Sequence, residues 1–268
     1  MTLALGPALL FCPADRPERF RGALEKADAV ILDLEDAVLP ESKATARGNI
    51  IDADLDPDRV IVRVNPPDSD AFVSDLSTLA QTDFRTVMVA KTQDADSLDA
   101  FDERFSVIAL CETARGIHAA DRIAAHPRVV AMMWGAEDLV ASLGGTSSRR
   151  GDGSYRDIAR YARSRVLLEA GAQGKAAIDA VHIALDDIDG LAAEAEDAAA
   201  SGFAATACIH PNQVAVIREA YAADTAAVEW ARSVLSAAES ERGVFRFQGR
   251  MIDEPVLRHA RSVLARAR

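Results

Sequence analysis

Eight short apolar segments recur along the chain, and stretches with helical spacing separate them. Strands that alternate with helices are typical of a parallel sheet, because each strand needs a crossover helix to return the chain to the same edge. Eight such repeats favour a closed (β/α)8 barrel over an open doubly wound sheet, which usually has fewer strands. The predicted strands span residues 8–12, 29–34, 60–64, 87–90, 107–111, 129–134, 177–183 and 204–209.

Helical spacing predicts helices between these strands. Neither G-x-G-x-x-G nor G-x-x-x-x-G-K-S/T occurs in the chain, so the glycine-rich phosphate loops of open α/β sheets are absent from it. The sequence is therefore assigned to the α/β class as a (β/α)8 TIM barrel. The predicted helices include residues 17–26, 114–125, 155–170 and 191–201, the last with Gly202 as its C-cap.

The segment after the eighth strand differs in kind from the repeats. We divide the chain into a barrel catalytic domain, residues 1–222, and a C-terminal helical appendage or lid, residues 223–268, which belongs to the same domain unit. The appendage contains a helix over residues 225–241, an extended piece over 244–247, a turn at Gln248 and Gly249, and a final helix from Pro255, and a helix over 215–222 precedes it.

Charge and hydropathy exclude two classes of partner. The net charge of -12 opposes a nucleic-acid backbone, and the basic residues are spread along the chain, so nucleic acid is not an expected partner. No apolar run approaches the roughly 20 residues that cross a bilayer. The apolar start, residues 3–11, lacks a basic leader and reads as a buried strand, so we expect no membrane association and a cytoplasmic location.

Three cysteines, Cys12, Cys111 and Cys208, lie in or beside apolar runs without C-x-x-C spacing. We interpret them as buried reduced thiols, the alternatives being a nucleophile or a zinc site. A glycine- and serine-rich loop, residues 143–154, carries Arg149 and Arg150 at its centre. It reads either as a mobile solvated loop or as a flap that contacts phosphate groups.

Active sites of (β/α)8 barrels lie at the carboxyl ends of the strands, so the polar residues at these ends are the candidates. Each of them could instead be a strand-terminal polar residue without a further role, but their convergence on one face favours a site. They are Asp15 and Arg16, then Asp33, Glu35 and Asp36, then Arg63 and Asn65, then Lys91, Glu112, Glu137 and Asp138, then Asp179 and His182, and finally His210.

Glu112 and Asp138 follow successive strands, and neither strand end offers a histidine or cysteine at the equivalent position. Carboxylate oxygens are hard ligands, which favours Mg²⁺ over zinc. Two carboxylates would leave coordination positions for water and a chelating substrate. The alternative is that one of the two forms a salt bridge with Lys91 or Arg115 instead.

Seven motifs together resemble the citrate lyase beta-subunit-like family of the HpcH/HpaI aldolase/citrate lyase superfamily, and most closely its short, stand-alone actinobacterial type. Relatives in that family include malyl-CoA and citramalyl-CoA lyases. The motifs cover nearly the whole chain in order, which makes the combination more specific than any single motif. They are PADRPERF (13–20), DAVILDLEDAV (28–38), VRVN (62–65), ETARG (112–116), GAEDL (135–139), IHPNQ (209–213) and GRMIDEP (249–255).

The resemblance implies a barrel of the phosphoenolpyruvate/pyruvate superfamily with Mg²⁺ held by Glu112 and Asp138, so that Glu112 also borders the substrate. It implies that Arg63 binds substrate oxygens and stabilises oxyanion character. Arg16 would lie near the thioester or pantetheine. Further support for the site would come from a pair formed by Glu35 and His210, because a carboxylate that accepts a proton from imidazole fixes its tautomer.

The same resemblance implies that Asp253 is the catalytic acid/base and reaches the site of a neighbouring subunit. The sequence alone favours a simpler role, as an N-cap for the helix that begins near Pro255. An appendage that completes a neighbour's site implies an oligomer, which we expect to be a homotrimer or a dimer of trimers.

The function implied is that of a magnesium-dependent carbon–carbon lyase. It would cleave a malyl-, citramalyl- or HMG-like β-hydroxyacyl-CoA into an acyl-CoA and an oxo acid. One alternative is the citryl-acyl-carrier lyase subunit of a citrate lyase complex, and another is malate-synthase-like or thioesterase-like activity on the same thioesters. A binding protein that kept only the barrel is disfavoured, because a fold does not by itself require Glu112, Asp138 and Arg63.

Overall fold

A computed structural model of the chain describes residues 5–241 and 243–266. Eight parallel strands form a closed barrel in the order in which they occur, and β8 pairs with β1. The first strand shows the closure directly, because Leu9 aligns with Ala29 of β2 and with Ala207 of β8. The predicted (β/α)8 barrel is thereby confirmed. The strands are β1 (Ala8–Pro13), β2 (Ala29–Asp33), β3 (Val60–Val64), β4 (Thr86–Val89), β5 (Ser106–Cys111), β6 (Val129–Trp134), β7 (Ala176–Asp179) and β8 (Ala205–Cys208).

Helices connect the strands and extend beyond the barrel. They are α1 (Phe20–Lys26), α2 (Lys43–Ile51), α3 (Phe72–Leu79), α4 (Ala114–His118), α5 (Ala120–Ala125), α6 (Ala136–Ser142), α7 (Asp157–Ala172), α8 (Ile188–Ser201), α9 (Pro211–Tyr221), α10 (Thr225–Ala238) and α11 (Glu254–Arg266). Short 3-10 turns lie at Pro17–Arg19, Pro40–Ser42, Pro57–Arg59 and Asp96–Ala100. None of the helices among the described residues is both long and apolar enough to cross a bilayer.

The barrel interior is filled by large apolar side chains on alternate positions of the strands. Each side chain of this size contributes about 1.5–3 kcal/mol when it leaves water, so this cluster supplies much of the free energy of folding. The opposite face of each strand is covered by the helices, which explains why the strands are apolar at nearly every position. The interior cluster includes Leu9, Ile31, Ile61, Met88, Ile108, Leu110, Met133 and Ile178.

Several element boundaries differ from prediction. The seventh strand ends at Asp179 instead of residue 183, because the Asp179 carboxylate accepts the N–H of Ala180 and the chain turns away from the sheet. The predicted helix over 114–125 is two helices that meet at Ala119. The helix predicted from Tyr155 begins two residues later, since Tyr155 forms an isolated bridge with Arg149.

The C-terminal part forms its own small core. Contacts divide the chain into two compact units, Met1–Ala220 and Tyr221–Arg268. In the second unit, α10 and α11 pack around a two-stranded antiparallel sheet, β9 (Phe245–Phe247) and β10 (Arg250–Ile252). The predicted turn at Gln248 and Gly249 joins these strands, with φ of 47° and 82°. The buried side chains are Ala231, Val234, Ile252, Leu257 and Ala260.

The start of the chain was predicted as a strand that includes residues 3–11, and residues 1–4 of this segment lie outside the described structure. Within the described part, β1 begins at Ala8. The three cysteines are free and buried, as predicted. Gly202 ends α8 with φ of 108°, which confirms the predicted C-cap.

Candidate active site

A cavity of about 180 Å³ opens where the strands β1–β3 and β5–β8 end. Charged side chains enter this cavity because side chains at every second position of a strand point to the same face. Ile31, Ile61 and Leu110 point into the barrel core, and the residues two positions further along the same strands, Asp33, Arg63 and Glu112, line the cavity. The remaining lining comes from Phe11, Ala37, Leu110, Met133, Trp134, Gly135, Ala136, Glu137, Asp138, Ala180, Val181 and Ile209.

Arg63 is held at the floor of the cavity by carboxylates. Its Nε and Nη2 donate to the two oxygens of Asp33 at 2.7 and 2.6 Å, and its Nη1 lies 3.1 Å from Glu35 Oε2. The guanidinium also lies over the ring of Phe11, 4.8 Å from its centroid. Burial would lower the pKa of Arg63, but the adjacent Asp33 outweighs this and raises it, so the guanidinium stays charged.

Glu112 is a buried carboxylate with few donors around it. Its Oε1 accepts the backbone N–H of Lys91 at 3.1 Å. Burial, and then the negative charge of Asp138, raises the pKa of Glu112 to about 8. The Oε2 lies so close to Gly135 that a Cβ at that position would approach it to 2.6 Å. A buried carboxylate beside a second carboxylate is unfavourable alone and is stabilised by a bound divalent cation.

Asp138 lies in the first turn of α6, half exposed at the cavity wall. Its Oδ1 is 3.2 Å from the ammonium of Lys91, so the salt bridge considered as an alternative for Asp138 is formed. Arg115 pairs with Asp94 at 3.5 Å instead. Among the described residues no group of three or more acidic, histidine or cysteine side chains is arranged around one point. Glu112 and Asp138 offer hard oxygens that could hold Mg²⁺ and would leave coordination positions open.

Glu35 and His210 do not form the expected pair in the described structure. The Glu35 carboxylate contacts Arg63 and the ammonium of Lys91, and burial raises its pKa. The Nδ1 of His210 accepts the N–H of Asn212 at 3.2 Å. Two cations contact Glu35, and a local turn contacts the Nδ1 of His210, so a supporting role for these two residues stays a prediction.

His182 is a buried histidine that contacts two carboxylates. Its Nδ1 lies 2.9 Å from Glu194 and its Nε2 lies 3.3 Å from Asp187. Glu194 also accepts from Arg149, whose guanidinium stacks on the ring of Tyr155 at 3.9 Å. His182 was recognised as a strand-end candidate, but its partners lie on α8 and at the N-cap of α8 and could not be identified from spacing.

The loop of residues 143–154 is tied to the barrel. Arg149 is engaged with Glu194, and Arg150 pairs with Asp157 at 3.0 Å. Ser148 donates to the cavity-lining Glu137 at 2.6 Å. The contacts of both arginines argue against a mobile solvated loop, and contact of this loop with phosphate groups stays a prediction.

Two further candidates are Arg16 and Asp253. Arg16 is exposed and lies 3.5 Å from Asp15 in the turn after β1. Asp253 belongs to the second compact unit, where its Oδ1 accepts the N–H of Val256 at 3.2 Å at the start of α11. This is the capping interaction that the sequence favours, and an acid/base role for Asp253 stays a prediction.

Sequence reasoning underestimated two residues. Lys91 contacts three carboxylates and has φ of 47°, a left-handed conformation that a lysine rarely adopts. Asp33 was one candidate among many, yet it anchors Arg63 and also accepts the N–H groups of Glu35 and Ala37. The strand parity of Asp33 and Arg63 is a signal that would have identified this pair.

Comparison with known proteins places the chain in one family. The HpcH/HpaI aldolase/citrate lyase profile matches residues 8–211. A "Citrate lyase subunit beta-like protein" of Mycobacterium tuberculosis is 53% identical over 98% of this chain and 96% of that protein. The human "Citramalyl-CoA lyase, mitochondrial" is 31% identical over 97% of this chain and 85% of that protein.

A solved structure is similar over its full length. It is the crystal structure of the protein CitE from Mycobacterium tuberculosis in complex with magnesium, acetoacetate and coenzyme A. It is 52% identical, covers 99% of each chain and superposes with a TM-score of 0.92. With the barrel, the cavity and these relatives in agreement, the chain belongs to the HpcH/HpaI aldolase/citrate lyase family.

Proposed function

We propose that this protein is a magnesium-dependent carbon–carbon lyase that cleaves a β-hydroxyacyl thioester of coenzyme A into an acyl-CoA and an oxo acid. The observation that carries the proposal is the arrangement of Glu112 and Asp138 beside the Arg63 guanidinium in one cavity. The magnesium, acetoacetate and coenzyme A in the relative from Mycobacterium tuberculosis support the same chemistry. We further propose that the protein works in the cytoplasm as a homotrimer or a dimer of trimers.

In this proposal the carboxylates hold the metal ion, and the guanidinium stabilises negative charge on the substrate. Bound Mg²⁺ would supply Lewis acidity toward the carboxylate and hydroxyl oxygens of the substrate. Glu112 and Asp138 would hold the ion, and Arg63 would donate to the oxygen on which negative charge develops, with its orientation fixed by Asp33 and Glu35. Preorganised donors of this kind contribute a few kcal/mol to lowering the barrier.

Cleavage leaves an enolate, whose carbon must then receive a proton. The carbon–carbon bonding pair passes to the acyl thioester as an enolate, while the hydroxyl becomes the carbonyl of the oxo acid and its proton passes to solvent water. This proton balances the one that the enolate carbon takes up. Asp253 of a neighbouring subunit would protonate the enolate carbon. Arg16 would contact the thioester or the pantetheine arm, and Glu35 and His210 would support the site from separate positions.

A panel of β-hydroxyacyl-CoA esters tests the proposal. With Mg²⁺ present, we expect release of an oxo acid together with an intact acyl-CoA, quantified by chromatography. Glu112→Gln and Asp138→Asn should abolish the release and Mg²⁺ binding by calorimetry, while Glu41→Gln on the surface should change neither. Free CoA without an oxo acid would indicate a thioesterase, and turnover only of a carrier-bound ester would indicate a citrate lyase subunit.

A further inference from the structure

Lys91 lies at the centre of an acidic cluster formed by Glu35, Asp36, Glu112 and Asp138. Its ammonium contacts Glu35, lies 2.9 Å from Asp36 Oδ2 and lies 3.2 Å from Asp138 Oδ1. Its backbone N–H donates to Glu112. One residue therefore contacts both carboxylates of the proposed metal site, through different atoms.

The ammonium of Lys91 is the cation that pairs with Asp138. Arg63, the other cation in the cluster, is committed to Asp33 and Glu35. Among the described residues, no other cation lies within the 4.0 Å ion-pair distance of Asp138. The positive charge that Asp138 meets in this structure is thus that of Lys91.

Lys91 lies outside the lining of the proposed active-site cavity. It instead borders a separate pocket of about 90 Å³ with Pro67, Asp68 and Gln93. Its contacts with Glu35 and Asp36 do not depend on Asp138. If Asp138 turns to another cation, the ammonium keeps two carboxylate partners.

We propose that Lys91 is a positioning residue whose ammonium competes with the divalent cation for Asp138 and thereby weakens metal binding, while its N–H orients Glu112. The inference rests on the proposed function, because it takes Glu112 and Asp138 as the metal-binding pair. A cation about 3 Å from a ligand carboxylate opposes a second cation there by simple Coulomb repulsion. Its removal should tighten metal binding even though it removes contacts from the protein.

The test is magnesium titration by calorimetry of the purified full chain. We expect Lys91→Met and Lys91→Gln to bind Mg²⁺ about tenfold tighter than wild type. Lys91→Arg should stay within about threefold, since it restores the charge. Lys26→Met makes the same change of charge on α1 and should leave the affinity unchanged.

A second readout is thermal unfolding with and without metal. Without metal, Lys91→Met should unfold at a lower temperature than wild type, because Glu35 and Asp138 lose their cation, and Mg²⁺ should raise its Tm more than that of wild type. If Lys91→Met and Lys91→Gln both fold but bind Mg²⁺ as wild type does or more weakly, the proposed role of Lys91 is refuted, while the metal site is not. Absence of Mg²⁺ binding in wild type would refute the metal site as well.

Discussion

The guanidinium of Arg63 and the carboxylate of Asp33 form a two-pronged ion pair, with distances of 2.7 and 2.6 Å, between adjacent strands of the barrel. Asp33 is 1% exposed, so water can do little to replace Arg63 as the partner of this carboxylate. The pair fixes the plane of the guanidinium and thereby the direction of its remaining donor.

Arg63→Lys should lose turnover more than substrate affinity. A single ammonium cannot satisfy both oxygens of Asp33 and also donate to a developing oxyanion, so we expect kcat to fall about 10²–10³-fold. Arg59→Lys is the control, because Arg59 bonds the backbone carbonyls of Leu24, Ala27 and Asp28. Steady-state kinetics distinguish the two, and an unchanged kcat in Arg63→Lys would make Arg63 a structural residue.

Gly135→Ala should disable the metal site without changing its ligands. The added methyl would lie 2.6 Å from Glu112 Oε2 and 2.9 Å from its Cβ, so the buried carboxylate must move. We expect Mg²⁺ affinity to fall at least about tenfold in calorimetry while the circular dichroism spectrum is kept. Gly171→Ala in α7 has open space around the new methyl and should bind Mg²⁺ like wild type.

Arg149→Met should loosen the attachment of the loop of residues 143–154 to the barrel. Arg149 stacks on Tyr155, and Tyr155 packs edge-on against Trp134, which lines the cavity, with ring centroids 5.2 Å apart. We expect KM for the thioester to rise several-fold with a smaller change in kcat, because the cavity wall loses support. Arg150→Met removes the neighbouring, more exposed arginine and should leave KM close to wild type, and equal effects from both would argue against this role of Arg149.

Inactive Asp253→Asn and Glu112→Gln chains should restore activity when they are refolded together. If Asp253 acts in a neighbour's site, mixed oligomers contain sites with an intact metal pair from one chain and an intact acid from another. Equal mixing should recover about a quarter of wild-type activity, since each required group comes from half of the chains. Mixed oligomers that form but stay inactive would leave Asp253 with only its capping role.

The cysteines should be unreactive until the protein unfolds. Burial raises the pKa of Cys12 to about 11 and those of Cys111 and Cys208 to about 12, so at pH 8 the native thiols are almost wholly protonated. A thiol reagent at pH 8 should therefore react at the rate of unfolding. Above pH 9 the unfolded thiols ionise while the native thiols do not, so stability should fall as pH rises toward 11. Rapid labelling of the native protein would contradict the buried arrangement.

The strand pattern predicted the barrel because burial on both faces makes each strand a continuous apolar run. Strand ends were located less well: Asp179 ends β7 through a side-chain contact that hydropathy does not encode. The carboxylates Glu112 and Asp138 were found from their positions at the strand ends. The role of Lys91 was not found, since it depends on a left-handed backbone that glycine would usually supply.

The distribution of side chains around the cavity separates two kinds of change. The charged groups Asp33, Arg63 and Glu112 come from the ends of β2, β3 and β5, and Glu137 and Asp138 come from α6. The apolar side chains Met133, Val181 and Ile209 come from β6 and from the segments after β7 and β8. A substitution at Met133, Val181 or Ile209 therefore changes the shape of the cavity without replacing any of these charged groups.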